Sequence, residues 1–184
     1  YPAHFQAGIK YKRLHDLQVN FDVGWTDYKA WDKFKFEFDR QISALKIAKL
    51  LSENIGDTSL ALPMEFTSPW SFGIGVEYSA TDRLKLRAGY EPRSSAIPDG
   101  RRNTMIPINN AQLFGLGVGY RFDAETDLDL SIGFLRSKDN IPANSSCLSN
   151  CTGVNNILLN PYAGLNVKTD TKITILGLNY RTRW

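Results

Sequence analysis

The 184 residues carry 22 Lys+Arg against 19 Asp+Glu, a formal charge of +3, with 42% apolar residues and a slightly negative mean hydropathy. That length allows one domain or a large piece of one, and so small and scattered a positive excess argues against a nucleic-acid partner, which needs a basic stripe or patch. No run of about 18 apolar residues occurs, which excludes a helical membrane span but not a transmembrane barrel, whose strands need only alternate residues to be apolar.

Alternation begins near the N-terminus. In 2–12, Phe5, Ala7, Ile9 and Tyr11 interleave with Gln6, Gly8, Lys10 and Lys12, and in 16–29 Leu17, Val19, Phe21, Val23 and Trp25 interleave with Gln18, Asn20, Asp22, Gly24 and Thr26. A period of two puts such sets on opposite faces of a strand. Residues 40–55 break the pattern with a helical one. Lys46, Lys49 and Glu53 form one stripe, Ala44, Leu45, Ile47, Ala48, Leu50, Leu51 and Ile55 cover the rest, and Gly56 supplies a stop.

Alternation returns in 67–79, where Trp70, Phe72, Ile74, Val76 and Tyr78 oppose Ser71, Gly73, Gly75 and Glu77. Residues 82–92 set Leu84, Leu86, Ala88 and Tyr90 against Arg83, Lys85, Arg87 and Gly89. In 111–122, Phe114, Leu116, Val118, Tyr120 and Phe122 oppose Gly115, Gly117, Gly119 and Arg121. In 126–137, Leu128, Leu130, Ile132 and Phe134 oppose Asp127, Asp129, Ser131 and Gly133. The last strand, 166–184, sets Leu176, Leu178, Tyr180 and Trp184 against Gly177, Asn179, Arg181 and Arg183. Ile173 and Ile175 fall on the parity opposite to Leu176 and Leu178, which predicts a bulge near 175–176.

Turn-sized links at 13–15, 80–82 and 123–125 alternate with long insertions at 30–66, 92–110 and 137–165. In an up-and-down meander all the long loops then share one rim, the habit of outer-membrane barrels. The fold class read from this is all-β: an antiparallel up-and-down transmembrane barrel segment with long extracellular loops and one loop helix. Alternation does not say which face is wet, and a soluble lipid-binding barrel would have the same period. Glycines crowd the polar parity, as in a filled lumen, and aromatics sit at strand ends, as interfacial girdles require. Both favour apolar residues facing lipid.

These motifs resemble the FadL-type outer-membrane transporters of long-chain fatty acids and other hydrophobic compounds. Pro69-Trp70-Ser71-Phe72-Gly73-Ile74-Gly75-Val76-Glu77-Tyr78 and Leu84-Lys85-Leu86-Arg87-Ala88-Gly89-Tyr90-Glu91-Pro92-Arg93-Ser94 look like that family's central hairpin. Ile97-Pro98-Asp99 and Met105-Ile106-Pro107 resemble its next outer loop, although Ile108-Asn109-Asn110 replaces the acidic residue and Arg often found there. Leu116-Gly117-Val118-Gly119-Tyr120, Asp127-Leu128-Asp129-Leu130-Ser131-Ile132-Gly133 and Leu176-Gly177-Leu178-Asn179-Tyr180 complete the resemblance. It implies a chain ending on the periplasmic side, hence seven strands rather than eight. Since single-chain bacterial barrels are even-numbered, the expectation is the C-terminal half of a roughly fourteen-stranded barrel, lacking its N-terminal half and plug. The whole of 1–184 then reads as one barrel part in the bacterial outer membrane, crossing it many times.

The chemistry is that of a passage rather than a reaction. No Ser/His/Asp order, phosphate loop or spaced metal-ligand cluster appears, and His4 and His15 are far apart, so neither an enzyme nor a cofactor nor a metal site is expected. Arg83, Lys85, Arg87, Arg121, Asp127, Asp129, Arg181 and Arg183 read as compensating lumen charges. Cys147 and Cys151, in a polar Asn/Ser-rich loop, suggest a small disulfide in an exported protein. The apolar side of the 40–55 helix either packs against loop neighbours such as Leu60, Leu62 and Phe66 or offers a greasy landing surface at the channel mouth, for which Leu45, Ile47, Leu50, Leu51 and Phe66 are the candidates. The function expected is passive uptake of hydrophobic molecules, long-chain fatty acids first, in contact with outer-membrane lipid and lipopolysaccharide. The alternatives are a structural or adhesive outer-membrane barrel and the soluble lipid-binding one.

Overall fold

Period-two alternation becomes one antiparallel sheet in a computed structural model that describes residues 2–31, 33–50, 54–104, 109–152 and 162–183. In chain order the elements are β1 (His4–Leu14), β2 (Leu17–Thr26), β3 (Lys33–Glu37), α1 (Ser43–Ala48), β4 (Ser59–Pro63), β5 (Trp70–Ser79), β6 (Leu84–Arg93), β7 (Ala111–Arg121), β8 (Thr126–Ile141) and β9 (Val167–Thr182). Seven of the strands form one open sheet in the order β1-β2-β5-β6-β7-β8-β9, and β3 pairs with β4 apart from it. All seven expected strands are present.

Strand register carries the alternation across the whole sheet. Tyr11, Val19, Val76, Ala88, Leu116, Ile132 and Leu176 lie side by side in one row. The adjacent row on the opposite face runs Asn20, Gly75, Gly89, Gly115, Gly133 and Ile175. Cross-strand neighbours on one face stand about 5 Å apart, so each face is continuous. The apolar face is the uncovered one: Ile74 is 52% exposed, Leu116 57% and Leu178 72%. An apolar surface of that extent is stable against lipid rather than water. The loops, by contrast, fold onto the polar face, as shown below. The soluble-barrel orientation is therefore not the one adopted.

Aromatic residues mark both ends of this band. Trp25 and Trp70 pair at the long-loop end, and the Tyr120 and Phe122 rings meet edge-on at 5.0 Å beside the short turn. Trp184, also expected there, lies outside the described residues. On β8 and β9 the lipid-facing parity turns from Phe134 to Arg136, Lys138 and Asn140, paired with Lys172, Asp170 and Lys168. Arg136 reaches Asp170 at 3.3 Å. Charges in that position place the boundary of the hydrocarbon near Phe134, so these two strands continue beyond the membrane.

Three local expectations are corrected. The bulge near 175–176 is absent, since β8 and β9 pair without a break from Thr126↔Thr182 to Ile141↔Val167. Ile173 and Ile175 keep the polar-face parity because Leu135 and Gly133 oppose them there. The helix expected over 40–55 is only Ser43–Ala48, preceded by an extended Ile42 with no side-chain cap. Gly56 is not its stop; its N–H donates to the Ser59 carbonyl in the turn leading into β4. The β3–β4 hairpin, with Phe34 opposite Leu62 and Phe36 opposite Leu60, was not anticipated. It packs through Phe34 onto a small loop core of Met64, Phe66 and Ile97, joined by Tyr28, Ala96 and Leu148.

Candidate functional site

Near the short turns, the polar face carries an ion-pair network built by register. Glu77 opposes Arg87, and Lys85 shares a row with Gly119 and Asp129. Lys85 Nζ and Arg87 Nε donate to the two Glu77 carboxylate oxygens at 2.8 and 2.7 Å, and Arg87 Nη1 donates to Asp129. Glycine at 119 makes this crossing possible, since a Cβ there would stand 2.6 Å from Asp129 Oδ1 and 3.1 Å from Arg87 Nη1. Two acids and two bases cancel, so the cluster is a neutral wall and not an anion trap. Each half-exposed pair is worth at most about 1 kcal/mol, and the benefit is a stiff arrangement rather than stability.

Arg121 reaches Asp127 at 3.4 Å, and Arg181 occupies the register position opposite Asp127. Arg83 lies in the turn before β6, and Arg183 beyond β9, its N–H donating to the Glu125 carbonyl. The structure thus joins Lys85, Arg87 and Asp129 with Glu77, pairs Arg121 with Asp127 nearby with Arg181 in register, and leaves Arg83 and Arg183 at the rim.

The network's Glu77, Arg87 and Asp129 line a groove of about 750 Å³ that is floored by Gly75, Gly89, Gly115 and Gly133 and bordered by Leu113 and Ile175. Leu113, Leu135 and Ile173 are register neighbours on this face, with Ile175 beside them opposite Gly133. They form an aliphatic ledge: towards the short turns the rest of this face is glycine and polar groups, while Ala111, Ile141 and Val167 share its parity at the outer end. Sequence reasoning passed over it. The signal was present as four branched aliphatics on the polar parity, two of which were explained away by a bulge.

The proposed landing surface is divided. Ile47 is 68% and Leu50 85% exposed, Leu45 is half-buried, and Leu51 lies outside the described residues. Phe66 is buried in the loop core at 8% exposure, edge-on to Phe34, and does not join them. Exposed apolar residues that do lie on the same outer segment are Trp31, Phe36, Phe38 and Ile42. In the dithiol form Cys147 is exposed and Cys151 buried. Burial first, and the neighbouring Cys147 next, push the Cys151 thiol up to about 11. In the outer loops, the hydrogen bond from Arg101 holds the Glu65 carboxyl below its ordinary value.

Comparison with known proteins bears on what such a wall belongs to. The sequence model of a family described as outer membrane protein transport protein (OMPP1/FadL/TodX) matches residues 1–184. A 47 kDa outer membrane protein of Pasteurella multocida (strain Pm70) is 28% identical over 161 residues, 84% of this chain and 34% of that protein. Among solved structures, a Pseudomonas aeruginosa FadL homologue superposes with a TM-score of 0.61 at 15% identity, over 98% of this chain and 34% of its own. The CymD monoaromatic hydrocarbon channel gives 0.59 at 16% identity, over 100% of this chain and 36% of its own. The chain spans about a third of the length of these relatives.

Proposed function

The chain belongs to the OMPP1/FadL/TodX family of outer-membrane transport proteins, and from that premise we propose that it forms one side of a passage for hydrophobic molecules, with long-chain fatty acids the first candidate substrate. The observation that carries this reading is the aliphatic ledge on the lumen side, Leu113, Leu135, Ile173 and Ile175, where a water-filled pore has no use for one. Desolvating an acyl chain against it gains about 0.8 kcal/mol per methylene without directional contacts. The exposed Ile47 and Leu50, with Phe36 and Phe38, would gather apolar solute at the outer surface and hand it to the ledge. The lumen charges stiffen the wall, and the remaining strands of the barrel would come from the rest of a longer protein.

Uptake of radiolabelled long-chain fatty acid should be faster in cells expressing the full-length gene than in cells lacking it. Equal uptake would defeat the passage reading and favour a structural or adhesive barrel.

We also propose that Cys147 and Cys151 close a bridge outside the cell, giving two electrons and two protons to a disulfide-bearing oxidase during export. Unreduced protein should then resist maleimide. After reduction, Cys147 should react first and Cys151 about tenfold or more slowly at pH 8, because the thiolate is the nucleophile and the buried thiol titrates far above that pH. Labelling of unreduced protein would refute the bridge, and equal rates would refute the protected thiol.

A further inference from the structure

Where β8 rises beyond the membrane, its lumen-parity residues are buried: Leu135 is 9% exposed, Ser137 1% and Ile141 1%. What covers them is two outer loops turned inward over the polar face. The described parts of the first loop, 94–104 and 109–110, are tied to β8 through the Asn109 N–H, which donates to Ser137 Oγ at 2.9 Å, and through Ser137 Oγ, which donates to the Asn110 carbonyl at 3.1 Å. Asp139 holds the same loop from its other side. Its carboxylate, whose side chain is 7% exposed, receives Arg102 Nη1 at 2.6 Å on one oxygen and Asn109 Nδ2 on the other.

The 142–152 loop locks onto the first. Ser146 Oγ donates to the Arg102 carbonyl, and the Cys147 N–H donates to the Gly100 carbonyl at 3.1 Å. That second loop is itself closed by Asn150, fully buried, whose Nδ2 donates to the Pro142 and Leu165 carbonyls at 2.6 and 2.7 Å. One carboxylate on the sheet therefore fastens two loops, directly through Arg102 and Asn109 and indirectly through the Arg102 backbone. Ser137 adds a neutral tie. Asp139 is the only charged residue among those described that β8 contributes to this contact, and it lies four residues beyond the ledge residue Leu135 on the same face.

We propose that Asp139 is a positioning residue that pins these loops as a lid over the outer mouth of the lumen, and so sets which solutes reach the ledge from the aqueous side. With the lid down, a bulky polar molecule outside the cell has no path to Leu135 along this wall. Loss of the pin removes the buried one of the two carboxylates that Arg102 pairs with, leaving only Asp99, whose side chain is 86% exposed, and it takes from Asn109 Nδ2 its acceptor; a guanidinium so placed is drawn outward to water. The lid then lifts.

The test uses the full-length protein on intact cells, in a Cys147→Ser/Cys151→Ser background, with Leu135→Cys as the reporter and a bulky membrane-impermeant maleimide as the probe. Adding Asp139→Ala should speed labelling at 135 by about tenfold or more, because a buried pair biases the closed state by at least that factor. Lys138→Cys, exposed on the other face of the same strand, should label at one rate in both backgrounds. If Asp139→Ala fails to assemble, Arg102→Gln, which alters only the loop side of the pair, should give the same acceleration. An unchanged rate at position 135 in an assembled variant of either kind overturns the pin. The inference rests on the passage reading, but labelling is measured with no transported solute present, so its failure is distinguishable from a failure of fatty-acid uptake.

Discussion

Leu116→Arg should largely prevent the full-length protein from assembling in the outer membrane, while Gly115→Arg, one residue away, should leave assembly near normal. The two positions are adjacent on β7 and face opposite ways. Leu116 is 57% exposed on the apolar face between Ala88 and Ile132. An arginine there, near the midplane, costs about 2–4 kcal/mol. Gly115 points to the polar face, where a Cβ would meet nothing within 4 Å. A long cationic side chain at 115 can extend into the groove, and replacing glycine in a strand recovers about 0.5–1 kcal/mol of backbone entropy. The measurement is the fraction of heat-modifiable, folded barrel in outer-membrane preparations, with urea unfolding in bilayers for the free-energy difference. The opposite ranking would mean that the glycine face touches lipid, and the passage assignment would go with it.

This orientation was legible in the sequence because it depends only on parity and on what kinds of residues share a parity. Trp70, Phe72, Ile74, Val76 and Tyr78 needed no partner to be placed on one face. The turns were legible for the same reason, since a break in parity at Ala80-Thr81-Asp82 or Asp123-Ala124-Glu125 is itself local. Asp123 does there what its type suggests, accepting the Glu125 and Thr126 N–H groups at 2.8 Å each, and those bonds hold its carboxyl below the ordinary range.

What escaped was decided by partners distant in the chain. Lys33-Phe34-Lys35-Phe36 alternates as plainly as any strand, but its partner, Ser59–Pro63, lies across an apolar segment that reads as a longer helix than the one formed. A six-residue helix without a cap has little stability of its own, and periodicity alone overstates it. Phe66 was grouped with Leu45 and Ile47 by composition, whereas the fold gives it to Met64 and Ile97. Asp139 carried no signal at all, because its two partners lie 30 and 37 residues away.

Ile173 and Ile175 are the most instructive of these cases, and they support the strongest functional prediction. Read as a lapse in alternation, they called for a bulge; read against Leu113 and Leu135, they belong to a wall that is apolar by choice of residue and not by accident of register. Leu113→Glu together with Ile175→Glu should therefore lower the initial rate of long-chain fatty-acid uptake by about tenfold or more, since forfeiting the burial of even two methylenes removes about 1.6 kcal/mol of contact with the solute. Assembly should survive, because both side chains face a lumen that already accommodates Glu77, Arg87 and Asp129, and Ile175 is 51% exposed there. Leu113→Met with Ile175→Leu, which keeps the volume and the apolar character, should retain most of the uptake. The contrast between these two folded double variants separates a ledge that touches cargo from one that only fills the wall: in the second case both would transport alike.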